Sequence, residues 1–219
     1  YIRKFDTVES KQDGNTWTTK LKCEVSEGKL DEDMMAFGIA YARAGMPRVM
    51  VLIAEQAVNA TKATGWWQGG GNATDLRITE NAFMKRMEKS GFSFVDADVL
   101  AGKVKLESVG ADPNVQQARE FGKLSGAQVV IIGRVIAKAL GETIPNSGWY
   151  SSVATISARA VNTDNGEIIA TDEFTCRAEQ AIEQTAAGNK ALSRAGIEMA
   201  QHLFGKIGKT WAKQQSGSK

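Results

Sequence analysis

The stretch 47–56, Pro-Arg-Val-Met-Val-Leu-Ile-Ala-Glu-Gln, constrains the fold of this chain more than any other. It is a short, nearly unbroken apolar run, opened by a proline and closed by polar residues. A strand with one wet face alternates apolar and polar residues. A continuous run that includes Val and Ile reads instead as a strand covered on both faces. Helical patterns follow it, and then a second apolar run over 127–140. That order predicts a layered α/β core built outward from 47–56.

The rest of the chain fits this expectation. Its 219 residues suffice for one ordinary domain and a smaller one, and 42% hydrophobic with 24% charged residues allows a sizeable core. A net charge of +2 provides no strong field for nucleic acid or anionic lipid. The two cysteines, Cys23 and Cys176, are far apart. They form no Cys-x-x-Cys pair, which excludes a zinc ribbon or thioredoxin motif. Two free buried thiols are expected, the alternative being a disulfide made in an oxidising compartment. No apolar run reaches the length of a membrane-spanning helix. The chain opens at Tyr1 rather than Met, for which a removed signal peptide is one explanation.

Residues 1–28 read as a β-hairpin. Trp17, Thr19, Leu21, Cys23 and Val25 alternate with Thr18, Lys20, Lys22 and Glu24, the pattern of a half-buried strand. Asp13-Gly14-Asn15 supplies the turn. A short helix is expected over 31–44, stopped by Gly45 and Pro47. The boundary between a small N-terminal segment, 1–45, and the main domain, 46–219, falls there. After the first core strand, a loop holds Trp66 and Trp67 among glycines. Thr74 or Asp75 then caps a helix that runs to about Ser90, with Leu76, Phe83 and Met87 on one face. A second strand is expected over 92–97. Asp112-Pro113 reads as the start of a helix to Leu124, with proline at the first helical position.

In the buried strand over 127–140, Gly133 marks a bend or a close approach of backbone. Strands over 149–161 and 167–178 flank the turn Asn162-Thr163-Asp164-Asn165-Gly166. Last comes a helix over 182–213. Its stripe Leu192, Ala195, Met199, Leu203, Ile207 and Trp211 should lie on the sheet, and its glycines make a break or close packing near Gly205 plausible. The expected class is α/β (α+β): a mixed sheet with packed helices, preceded by a small hairpin-plus-helix segment.

Catalytic chemistry is hard to find. His202 is the only histidine, beside the apolar stripe of the last helix, and reads as structural or surface. Without a second one, the usual zinc constellations and most Ser-His or Cys-His sites are unavailable. Asp96 and Asp98 read as solvated loop acids. Gly69-Gly70-Gly71-Asn72 lacks the Gly-Lys-Ser/Thr that a phosphate loop needs. No catalytic, cofactor or metal residue is assigned, and the chain is expected not to be an enzyme. The binding candidates are Trp66, Trp67 and Gln68. Adjacent aromatics in a glycine-rich loop either fold back on the core or form an anchor for a partner.

Three segments carry a resemblance. The strand 47–56 is followed by a helix such as 80–90 and by Phe92-Ser93-Phe94-Val95-Asp96. A helix over 118–126 leads into Ala127-Gln128-Val129-Val130-Ile131-Ile132-Gly133. Ala158-Arg159-Ala160-Val161-Asn162-Thr163-Asp164-Asn165-Gly166-Glu167-Ile168-Ile169-Ala170 is a strand-turn-strand. In this order they resemble the domain shared by the curli-secretion lipoprotein CsgG, the N-terminal domain of TolB and the middle domain of the flagellar T-ring protein FlgT. The resemblance covers 46–213, and 1–45 is similar to the small domain that precedes the FlgT middle domain. It implies a periplasmic or outer-membrane-associated protein of the bacterial cell envelope. Such a protein would help to assemble or support a flagellar or secretion machine through protein–protein contacts, including self-association into oligomers. Any lipid anchor would lie upstream, and no cofactor or nucleic acid is implied. Penicillin-binding-protein activator lipoproteins share a similar domain, so regulation of a peptidoglycan synthase is the alternative. A small-ligand or nucleotide-binding enzyme is a third and weaker one. No surplus pair of alternating segments is present to build the membrane barrel of a CsgG-type pore.

Overall fold

The computed structural model describes residues 2–14, 16–25, 45–68, 77–100 and 109–216. The helix expected over 31–44, the glycines 69–71 and the capping residues Thr74 and Asp75 lie outside them. Strand β1, Ile2–Asp13, pairs antiparallel with β2, Thr16–Val25, as a separate two-stranded sheet. Gly14 takes the positive φ (57°) that its turn requires. The strand expected to be half-buried is not. Phe5, Trp17, Leu21 and Cys23 are all exposed, because this pair shares no ladder with the main sheet.

The main sheet has six strands. Its path is β4-β3-β5-β6-β7, with β8 also on β6. They are β3 (Arg48–Gln56), β4 (Ser93–Phe94), β5 (Val129–Glu142), β6 (Tyr150–Asn162), β7 (Ile168–Thr175) and β8 (Glu179–Ala181). Among the described residues, three helices cover the sheet: α1 (Ile78–Glu88), α2 (Val115–Ser125) and α3 (Gln184–Ser216). β3 runs parallel to β4 and β5, while β6 and its neighbours are antiparallel. The expected mixed sheet is therefore what forms.

The apolar run of β3 is explained by its place between two cores. Val49, Val51 and Ile53 face a cluster built with α1 and α3, including Phe83, Met87, Leu192, Met199 and Leu203. Met50, Leu52 and Ala54 face a second cluster with Phe121, Leu100 and Trp67. β5 is doubly covered only as far as Gly133. From there Arg134 and Lys138 are exposed while Val135 and Ala137 stay buried, so the expected continuous burial to 140 becomes alternation. A Cβ at Gly133 would lie 2.8 Å from Ser157 O, which makes this glycine a site of close backbone approach.

Several boundaries move for local reasons. The strand expected over 92–97 shrinks to Ser93–Phe94. Helix α2 starts at Val115, two residues past Pro113. Asn114 Oδ1 accepts from Gln117 N–H at 2.9 Å, and Gln117 Oε1 accepts from Asn114 N–H at 2.9 Å, a reciprocal cap that outweighs the proline signal. The strand expected over 167–178 shortens to β7, and the unforeseen β8 follows just past its expected end. Helix α3 runs unbroken past Gly205, around which there is open space. Its close contacts fall at Gly196, against Thr79 O, and at Gly188, against Val58.

Candidate functional site

The site lies where β3 ends, and its backbone explains its side chains. β4 pairs only with Arg48 and Val49, so the rest of that edge of β3 has no strand beside it. The loop after β3 folds back instead: Glu55 N–H donates to Thr64 O (2.9 Å) and Thr64 N–H to Glu55 O (3.0 Å). This bridge delivers the chain to a short 3-10 turn, Trp66–Gln68. Gln68 closes that turn. Its side-chain Oε1 accepts from Gly65 N–H at 2.9 Å while its own N–H donates to Gly65 O at 3.0 Å.

The two adjacent tryptophans are divided by the fold. Trp67 is 3% exposed, packs in the second core and donates from Nε1 to Gly110 O at 3.1 Å. Gly65 is needed beneath it, because any Cβ there would enter the Trp67 ring. Trp66 is half-buried and meets Trp67 edge-on, with centroids 5.8 Å apart. Its face carries the Arg77 guanidinium 4.1 Å from the ring centroid, a cation–π contact. Arg77 holds a left-handed conformation (φ 42°) at the start of α1. Of the three candidates, then, Trp66 alone presents a ring partly to solvent, Trp67 is core, and Gln68 braces the turn.

Two buried carboxyls complete the site, and the sequence reading missed both. Glu55 caps α1 from the end of β3. Its carboxylate accepts from Thr79 N–H (2.6 Å), Ile78 N–H (3.2 Å) and Glu80 N–H (3.4 Å), amides that the helix itself cannot satisfy. Burial still raises its pKa against these hydrogen bonds. Glu80 is 2% exposed. Burial is the main cause that pushes its pKa up to about 8, aided by the Glu55 charge. The Ile53 N–H on the open edge of β3, the Arg77 charge and the Trp66 indole work in the other direction. Even so, Glu80 Oε2 and Trp66 Nε1 are both buried without a hydrogen bond of regular geometry. A signal was present: Glu80 stands three and seven residues before Phe83 and Met87, on the buried stripe of α1.

Other candidates fall elsewhere. His202 is a surface residue, Nδ1 3.1 Å from Asp172 Oδ2 and stacked on Phe174. Asp172 also accepts from Lys206 Nζ at 2.7 Å. Burial opposes its charge, but Lys206, the Glu173 N–H and His202 together outweigh this and hold its pKa low. Asp96 directly precedes a short 3-10 turn, Ala97–Leu100, and Asp98 lies within it. Cys176 is buried, accepting from Ala154 N–H and donating to Ala191 O, whereas Cys23 is exposed. Both thiols are free, so the expectation of two buried ones holds for Cys176 alone. Far from the site, the arm between β5 and β6 exposes Ile144 (65%) and Trp149 (48%), which the sequence reading did not single out.

Residues 67–204, more than half of the chain, match the family described as TP0693-like lipoprotein, C-terminal domain. The chain belongs to that lipoprotein family, which makes it an envelope-associated protein and matches the coarser part of the resemblance read from the sequence. No curated protein matches it. Among solved structures, the hypothetical protein CT253 from Chlamydia trachomatis is similar at 12% identity, TM-score 0.44, covering 74% of this chain and 98% of that one. LpoB of E. coli is similar at 13% identity, TM-score 0.37, covering 68% of each chain. The PelC dodecamer of Paraburkholderia phytofirmans is similar at 10% identity, TM-score 0.38, covering 72% of this chain and 88% of the other. No described helix is long and apolar enough to cross a membrane.

Proposed function

We propose that this protein is a non-enzymatic component of the bacterial envelope that acts by protein–protein contact, as an assembly or scaffold element of a larger machine of flagellar or secretion type. The observation that supports it most is membership of the lipoprotein family. On this reading the protein works at the periplasmic side of the outer membrane, joined to envelope proteins and to further copies of itself. The contact surface includes the Trp66 ring with Arg77 on its face, a large aromatic beside a cation at the margin of the sheet. Trp67 and Gln68 serve the contact by holding the turn that presents Trp66.

The test is a cross-linked pull-down of the full-length protein from its native envelope, read by mass spectrometry. Envelope-machine subunits should be recovered, and Trp66→Ala should reduce their yield. Recovery of a peptidoglycan synthase alone would replace assembly by regulation of that enzyme. Recovery of cytoplasmic enzymes alone would overturn the reading.

A further inference from the structure

Glu80 and Trp66 present an unusual pairing. A carboxyl group is rarely so buried unless it is paired. Glu80 Oε2 and the Trp66 indole nitrogen are both buried and both lack a regular hydrogen bond. They belong to different elements, α1 and the short turn after β3, so their contact ties the two together. On its other sides Glu80 is boxed in. Ile53 supplies a backbone N–H from β3, and the carboxylate of Glu55 is already engaged by the first amides of α1. α3 closes on the same turn through Gly196, against Thr79 O. The charges that bear on Glu80 are Glu55, which repels its ionised form, and Arg77, which attracts it from over the Trp66 ring.

We propose that Glu80, Trp66 and Arg77 form a proton-operated latch: with Glu80 neutral the Trp66 side chain is held on the body, and with Glu80 ionised that side chain swings out from a turn kept in place by Trp67, uncovering the Trp66 ring. A neutral carboxyl tolerates this burial, whereas an anion needs water or a close cation. β3, α1 and the α1–α3 contact cannot yield without unpacking the core. The Trp66 ring is half-exposed already, and its movement lets water reach Glu80 Oε2. The direction of pH dependence follows. The closed form holds its proton up to about pH 8, whereas an exposed glutamate loses it near 4.5. Closing therefore weakens by about tenfold per pH unit between those limits and changes no further above them. The latch is a property of this chain alone and stands whether or not Trp66 meets a partner.

The test is hydroxyl-radical footprinting of the full chain across pH 5 to 9, with oxidation of Trp66 and Trp67 read separately by mass spectrometry. Trp66 oxidation should rise severalfold from pH 6 to pH 8, toward that of a fully exposed ring, while Trp67 stays protected. In Glu80→Gln, which keeps the shape and cannot ionise, Trp66 oxidation should stay at its low-pH level throughout. Trp66 oxidation that is level across pH in the wild-type chain would overturn the latch without any variant. A rise of the same size in Glu80→Gln would overturn the role of Glu80.

Discussion

Replacing Glu80 by Gln should make the protein more stable, and by an amount that depends on pH. Glu80 ionises near 4.5 in the unfolded chain and at about 8 in the folded one, chiefly because burial disfavours its charge. The folded state therefore keeps a proton that the unfolded state gives up. Well below pH 4.5 both states hold it, and the wild-type protein bears no penalty. As pH rises the unfolded state is favoured by about 1.4 kcal/mol per pH unit. The accumulated cost is about 3 kcal/mol at pH 7 and about 4 kcal/mol at pH 8, and it levels off above pH 8 at just under about 5 kcal/mol. These are upper values, since any relaxation that hydrates the carboxylate reduces them. Gln fills the same volume without the charge, so Glu80→Gln should gain most of this amount at pH 8 and nearly nothing at pH 4.5. Urea denaturation of both proteins at pH 5, 6, 7 and 8 measures the difference directly. A constant difference across that range would refute the argument. So would a variant less stable than wild type at pH 8, because Glu80 would then be a satisfied anion.

Other positions give sharper yes-or-no outcomes. Gly133→Ala places a Cβ 2.8 Å from Ser157 O and 2.9 Å from the Ala158 Cβ, and should cost about 1–3 kcal/mol in chemical denaturation. Trp67→Ala empties a core position and should cost about 3–5 kcal/mol, whereas Trp66→Ala should cost far less. Asn114→Ala breaks the reciprocal cap of α2 and should cost about 1 kcal/mol, seen as a lower midpoint in urea. Asp172→Ala should cost at most about 1 kcal/mol, because its partners His202 and Lys206 are half-exposed. With its folded pKa held low, Asp172 contributes above its ordinary value of 3.8, and that contribution is lost as pH falls through the folded value.

The elements that were legible in the sequence share a cause. The stripe Leu192 to Trp211 is buried as its spacing requires, and the turn at Asn162–Gly166 forms where its residues demand, with Gly166 at φ 78°. The run in β3 is covered on both sides, as its lack of alternation implied. Some of the misread boundaries were set from a distance. α1 has its first amides capped by Glu55, which is 24 residues before Thr79. β8 exists because Tyr150–Ser152 of β6 extend beyond the reach of β7 and accept a further partner. The site was half legible. Two tryptophans in a glycine-rich loop flagged the place, but nothing in their adjacency distinguishes the one that docks on Gly110 from the one that stacks under Arg77.

By itself the sequence determined the doubly covered strand, the mixed order of strands and helices, the sheet-facing stripe of α3 and the hairpin turns. Each of these is set by residues a few positions apart, through the period of a strand or a helix and the φ a turn demands. Only the tertiary structure decided that Trp67 is core and Trp66 is not, that Gly133 and Gly196 are points of close approach, and that Glu80 is a buried acid beside Glu55. Those outcomes depend on what lies opposite in space: Ser157 across from Gly133, Thr79 against Gly196, and Ile53 on an edge that β4 is too short to cover. Burial and electrostatics are set by such neighbours, and the spacing of residues along the chain does not record them.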